Sequence, residues 1–207
     1  MFAHGASGDA PKRVIGDNRT VCLLITKIRT LPRRGDEQPL SKELDPATAQ
    51  RGLSFLIEPI IVEDVRPVRL ELLRAPGTDP ALVVYPHDDD DDTLHLGCKV
   101  FDEICAISTV HREPASFNPD LPDAWRLRGV ATAPLLRRRG VGRIMMMTCL
   151  QHAWELGGQL VWCNARTPAV AFYESLGFLL ESDEFEIPGI GPHRVMWRPL
   201  DAPRDTA

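Results

Sequence analysis

Residues 130–142 read Val130-Ala131-Thr132-Ala133-Pro134-Leu135-Leu136-Arg137-Arg138-Arg139-Gly140-Val141-Gly142, a strand-like run that passes through an arginine-rich turn into a helix. The spacing that follows predicts the helix over about Arg138–Leu156, ended by Gly157-Gly158. The first turn of a helix leaves backbone N–H groups without intrahelical partners and presents the positive end of the helix dipole. Arg137, Arg138, Arg139 and Arg143 add full charges, and Gly140 and Gly142 lack the Cβ atoms that would hold a ligand off the backbone. Together they describe an anion cradle suited to a pyrophosphate, with Val141 inside it. Two common phosphate motifs do not fit. A dinucleotide fingerprint needs glycine where Met145 stands, and a P-loop needs Lys-Ser/Thr where Arg143-Ile144 follows Gly142.

Downstream, Gln159 to Asn164 reads as a buried strand. Thr167 is a candidate N-cap with Pro168 at the first helical position, which predicts a short helix over Pro168–Leu176 stopped by Gly177. On it, Ala169, Phe172 and Leu176 should face the core, with Tyr173 about 100° away at the margin. Phe178 to Glu186 and Arg194 to Arg198 read as a closing strand pair around Pro188-Gly189-Ile190-Gly191-Pro192.

Upstream, an apolar run from Leu53 to Val62 precedes a helix capped by Glu63-Asp64, with Val65, Val68 and Leu72 on one face and Ala75-Pro76-Gly77 as the stop. Ala81 to Tyr85 reads as a strand, Leu94 to Val100 and Glu103 to His111 as a hairpin around Phe101-Asp102, and Trp125 to Thr132 as the strand entering the cradle. The order β, α, three or four strands, α, β, α, β, β predicts an α/β (α+β) fold: a mixed, mostly antiparallel central sheet of six to seven strands flanked by helices.

The 207 residues suit one domain with an appendage, and 43% hydrophobic with 26% charged residues is an ordinary globular composition. Residues 1–55 are polar and rich in Gly, Pro, Asp and Arg, and are expected to form a flexible extension; 56–200 should be the domain and 201–207 a polar tail. The formal charge of -5 hides a split. Asp88 to Asp92 account for all of it and read as a solvated loop, able at most to draw a cationic amine toward a cleft; Arg126 to Arg143 hold six arginines and no acid. Five cysteines without a C-x-x-C pair, and no export or membrane-spanning segment, point to a reducing, cytoplasmic setting.

Arg137-Arg138-Arg139-Gly140-Val141-Gly142 resembles the R/Q-x-x-G-x-G/A motif of the GNAT superfamily of N-acetyltransferases, with Val130-x-Thr132 and Pro134 ahead of it at the family's spacing. Ala169-Val170-Ala171-Phe172-Tyr173-Glu174-Ser175-Leu176-Gly177-Phe178 is similar to that family's A-x-x-F-Y-E-x-x-G-F element. The resemblance covers about residues 56–200 and implies acetyl-CoA as co-substrate, in a cleft between splayed parallel strands ending at Thr132 and Asn164. It implies that the backbone of Val130 and Thr132 pairs with the pantetheine arm, that the amides around Arg138 to Arg143 hold the pyrophosphate, and that Tyr173 protonates the departing thiolate. A phenol of pKa about 10 is roughly matched to a thiol of about 8.5. Arg166 stands where many members carry asparagine, with Asn164 two residues earlier.

An ammonium must lose its proton before it attacks a thioester, and His193 is the candidate base; a structural histidine is the competing reading. Glu103, His111 and Glu186 are weaker candidates, and His152 reads as an ordinary helical side chain. No metal site is expected, since the aspartate run lacks the spaced ligands and glycine of a calcium loop. The expectation is therefore transfer of an acetyl group from acetyl-CoA to a primary amine, small molecule or peptide, by direct attack in a ternary complex. Nucleic acid and membrane are not expected partners, and a homodimer is left open. The rivals are a CoA-binding regulatory module without turnover and a nucleic-acid-binding domain using Arg126 to Arg143.

Overall fold

The computed structural model describes residues 54–121 and 123–200. The expected extension over 1–55 falls almost wholly, and the tail over 201–207 wholly, outside them. Eight strands form one sheet: β1 (Leu56–Pro59), β2 (Leu94–Val100), β3 (Glu103–Arg112), β4 (Ala124–Thr132), β5 (Leu160–Arg166), β6 (Leu179–Leu180), β7 (Phe185–Ile187) and β8 (Gly191–Pro199). The spatial order is β1-β2-β3-β4-β5-β8-β6, with β7 also on β8. All pairs are antiparallel except β4 and β5. The mixed, mostly antiparallel sheet is as expected, but it has eight strands rather than six to seven because the closing segment divides into β6, β7 and β8.

Among the described residues there are three α-helices: α1 (Val62–Leu73), α2 (Val141–Glu155) and the short α3 (Val170–Glu174). Successive residues of a strand point to opposite faces. Ser108 Oγ lies 3.4 Å from Cys149 Sγ on α2, whereas the neighbouring Thr109 accepts from Arg69 on α1 at 2.8 Å, so α1 and α2 cover opposite faces. Val65, Ile107 and Ala131 form the core under α1; Met145, Met146 and Cys149 are buried under α2. The β2–β3 hairpin turns at Phe101 and Asp102 with φ of 49° and 69°, as a two-residue turn between right-twisted strands requires.

Other differences from expectation have local causes. The Ala81–Tyr85 segment is no strand: Asp79 Oδ1 accepts from the Ala81 amide at 2.9 Å and starts a 3₁₀ turn over Pro80–Val83. Glu63 and Asp64 sit inside the first turn of α1 rather than capping it, and α2 begins at Val141 because Arg138 and Gly140 are left-handed (φ 62° and 82°). Thr167 caps nothing; its hydroxyl donates to Glu184 at 2.7 Å, and a 3₁₀ turn over Thr167–Ala169 precedes α3.

Candidate active site

The one parallel ladder is short. Ala124, Trp125 and Arg126 pair with Leu160, Val161 and Trp162, and there it stops, although β4 continues to Thr132 and β5 to Arg166. Beyond that point the facing edges diverge around a cleft lined by Val130, Asn164, Ala169, Tyr173 and His193, with Tyr85 and four arginines. Tyr173 and His193 thus reach one cleft from α3 and β8.

Tyr173 departs from its expected marginal position: it is the buried residue of α3, while Ala169 and Phe172 are half-buried. The reason is edge-to-face packing, with the Phe172 and Phe178 rings both 5.4 Å from its own. Its hydroxyl makes no hydrogen bond to any described residue. Burial pushes the phenol well above its usual pKa, and the nearby Cys163 and Cys149 add to the effect, so it is a proton donor and not a base at neutral pH.

His193 is buried, and its Nδ1 lies 2.7 Å from the Gly191 carbonyl oxygen. A carbonyl only accepts, so Nδ1 carries the proton and the neutral ring keeps its lone pair on Nε2. Arg166, exposed at the end of β5, spans the cleft and donates to the Leu73 carbonyl at the end of α1 at 2.8 Å. Asn164 Oδ1 is buried without a hydrogen-bond partner among the described residues.

Val130 and Thr132 lie on the diverging part of β4, and Arg137 Nε donates back to the Thr132 carbonyl at 3.2 Å. No side chain caps α2 and no acid occupies its first turn, so the amides of Val141, Gly142 and Arg143 have no intrahelical acceptor. Arg137, Arg138, Arg139 and Arg143 are exposed around this terminus. Gly140 has φ 82° and open space where a Cβ would point. Gly142 also has a packing part: a Cβ there would meet the Phe172 ring at 3.3 Å, so its bare Cα seats α3.

Sequence reasoning missed two features. The first is a bulge in β4: Arg128 pairs with Thr109 and Ala131 with Ile107, leaving Gly129 and Val130 opposite Ser108. Gly129 has φ 58°, and a Cβ there would come 3.0 Å from Arg69 Nε. Gly129→Ala is expected to cost about 1–2 kcal/mol from the left-handed backbone alone, measured by denaturant unfolding. A single glycine in an otherwise regular strand was the available signal.

The second is that the aspartate run is only in part a solvated loop: Asp89, Asp90 and Asp91 are exposed, whereas Asp88 and Asp92 are drawn in. Asp88 is buried and takes both terminal nitrogens of the buried Arg69 at 2.6 and 2.8 Å, Asp92 pairs with Arg112 at 2.7 Å and Asp89 with Arg66 at 3.3 Å. His152 is tied in as well, with Nε2 2.8 Å from the Asp92 carbonyl oxygen.

Among the described residues no cluster of three or more His, Cys, Asp or Glu could hold a metal ion, and no helix is long and apolar enough to cross a membrane.

The model of the acetyltransferase (GNAT) family matches residues 68–178. The uncharacterised N-acetyltransferase YitI of Bacillus subtilis (strain 168) is 35% identical over 150 residues, which are 72% of this chain and 98% of that protein. Among solved structures, Escherichia coli ElaA superposes with a TM-score of 0.57 at 20% identity, over 70% of this chain and 99% of its own. The ribosomal-protein-S18-alanine N-acetyltransferase of Escherichia coli does so with 0.55 at 18%, over 74% and 99%. At those identities the structures speak for the fold alone.

Proposed function

Because the chain belongs to the acetyltransferase (GNAT) family, we propose that it transfers an acetyl group from acetyl-CoA to a primary amine, both bound at once in the cleft between β4 and β5. The observation that carries this is the divergence of those strands at Arg126 and Trp162, which leaves Tyr173 and His193 facing one cleft whose β4 wall runs into an uncapped helix terminus.

Acetyl-CoA supplies an activated thioester. Its phosphates fit the first-turn amides of α2, which lack partners, beside Arg137 to Arg139 and the open face of Gly140. The β4 edge at Val130 and Thr132, unpaired on the β5 side, offers backbone groups to the pantetheine arm. His193 Nε2 accepts the proton of the attacking amine, and the Tyr173 hydroxyl donates one to the departing sulfur. Direct transfer is favoured over a cysteine-bound intermediate. Burial pushes the Cys98, Cys149 and Cys163 thiols up to about 12, and Cys105 is also raised, so none of these four, the cysteines among the described residues, is a ready thiolate at neutral pH.

The test is acetyl-CoA-dependent thiol release across an amine panel, run beside CoA binding by calorimetry. In the Arg138→Glu/Arg139→Glu double variant, two exposed charges at the helix terminus are reversed. Its Kd for CoA is expected to rise by more than about tenfold with an unchanged Tm. Equal affinity would remove the cradle from this proposal, and CoA binding without thiol release from any amine would favour a regulatory module.

A further inference from the structure

The charge in the cleft does not suit a simple cation. Arg74, Arg126, Arg128 and Arg166 line it, and among the described residues no aspartate or glutamate does. Among the described residues only Arg126 has a counter-ion, Glu113. Arg74 donates to the Leu73 and Leu82 carbonyls and the Tyr85 hydroxyl, and Arg166 to the Leu73 carbonyl, all neutral acceptors. Arg128 has neither a hydrogen bond nor an ion pair with any described residue; its guanidinium carbon lies 4.2 Å from the centroid of the Tyr85 ring. Burial, and then the neighbouring Arg126, pull its pKa below the ordinary arginine value, outweighing the opposite pull of Glu113.

Arg128 is nonetheless held in place. Its backbone is fixed opposite Thr109 in the β3–β4 ladder. The Tyr85 ring beneath its head group is fixed in turn, with Arg69 4.2 Å from the centroid and Arg74 donating to the hydroxyl at 3.1 Å. A half-buried, pre-positioned fork of N–H donors without an acceptor is the arrangement that binds a planar or tetrahedral oxyanion.

The phosphates placed at α2 do not answer this need. Thr132, where the cradle begins, is four residues on, about 13 Å of strand. The Gly129–Val130 bulge also alters the alternation: Arg128 shares the α1 face with Thr109, while Thr132 lies beside Gly142 of α2 on the other.

We infer that the acceptor amine also carries an anionic group, a carboxylate or a phosphate, and that Arg128 is the specificity residue that receives it. This rests on the acetyl-transfer reading above. The acceptor then joins two functions within one small molecule: a nucleophilic nitrogen toward His193 and an anion toward Arg128. Polyamines and other purely cationic acceptors are repelled by the same arginines.

The experiment compares matched amines with saturating acetyl-CoA and the full chain. L-amino acids are paired with their carboxamides, β-alanine with β-alaninamide, and O-phosphoethanolamine with ethanolamine. Wild type, Arg128→Gln and Arg128→Lys are assayed by thiol release, and binding of the same compounds to the CoA-loaded protein is measured by calorimetry. In at least one pair the anionic member is expected to have a kcat/KM higher by about tenfold to a hundredfold, the worth of a charge-assisted hydrogen bond. Arg128→Gln should raise KM at nearly constant kcat and erase that difference, and Arg128→Lys should restore part of it. The amino-acid and phosphoethanolamine arms identify which anion is read. Preference for the uncharged members, a preference that survives in Arg128→Gln, or no binding of any anionic amine overturns the assignment. Binding of anionic amines through Arg128 with no thiol released from any amine supports the anion site and removes acetyl transfer instead.

Discussion

Tyr173→Phe is expected to lower kcat for acetyl transfer by about 10²- to 10⁴-fold, the range of a positioned general acid, while the Kd for CoA stays within about twofold. The substitution deletes one oxygen from a ring whose packing against Phe172 and Phe178 is otherwise untouched, and the lost hydroxyl bonds to no described residue. Stability should therefore hardly change, which separates a chemical role from a structural one. The raised pKa of the phenol does not disable it as an acid. The apolar surroundings that disfavour a phenolate disfavour the leaving thiolate as well, so the two remain matched where proton transfer occurs. Because the phenol stays protonated through neutral pH, the alkaline limb of the wild-type rate profile should not reflect its ionisation below about pH 10. An unchanged kcat in Tyr173→Phe would refute the acid role; a large fall in Tm with proportional loss of CoA binding would make the residue structural.

The parts of this site visible in the sequence are those whose residues are neighbours in the chain. The arginine turn, Gly140 and the start of α2 occupy one continuous stretch, and local chemistry alone describes their open amides. The Phe172-Tyr173-Glu174 segment is equally contiguous, although periodicity alone sets Tyr173 at the margin and not in the core. Helical periodicity describes one helix against one flat core, whereas Tyr173 is enclosed on two sides by aromatic edges. What the chain order hides is long-range pairing. Arg69 and Asp88 are 19 residues apart and meet only because the segment after α1 folds back over β3. Within five successive aspartates nothing local distinguishes the one that is buried. In the sequence Arg126 and Arg128 read with Arg137 to Arg139 as one cationic stretch. Strand alternation instead sets the first two on the α1 face of the sheet, and the bulge turns the chain before it reaches the others.

Asp88→Ala is expected to cost about 3–5 kcal/mol, because it strands a fully buried guanidinium. The carboxylate does more than pair with Arg69: Oδ2 also accepts from the Tyr85 amide at 3.0 Å, and the same residue's carbonyl lies 2.9 Å from His95 Nε2. The proton positions follow. His95 Nε2 must donate to that carbonyl, so Nδ1 accepts from the Thr109 hydroxyl at 2.8 Å, and Thr109 Oγ1 accepts from Arg69 at 2.8 Å. Protonating His95 would put a donor on Nδ1 and make the Thr109 hydroxyl turn its own proton away from the ring, and burial already holds the pKa below the ordinary 6.5. For Asp88, burial raises the carboxyl, but the hydrogen bonds from Arg69 and Tyr85 outweigh it and the net value lies below 3.8. Both groups are thus depressed on folding, and each contributes stability above its unfolded pKa that is lost as pH falls through its folded one. The stability of the wild type, read by urea unfolding, should fall first below about pH 6.5, through His95 and the likewise buried and depressed His111, and again below about pH 4, through Asp88. The second loss should vanish in Asp88→Ala, whose deficit at neutral pH is already present. An Arg69→Met/Asp88→Leu double variant should be less destabilised than Asp88→Ala, since no charge is left buried. A deficit below about 1 kcal/mol in Asp88→Ala would reduce the pair to the standing of an exposed ion pair. The network also reaches the cleft: Asp88 and Arg69 fix Tyr85, and Tyr85 carries Arg128, so any Asp88→Ala protein that stays folded should show a higher KM for the acceptor at unchanged Kd for CoA.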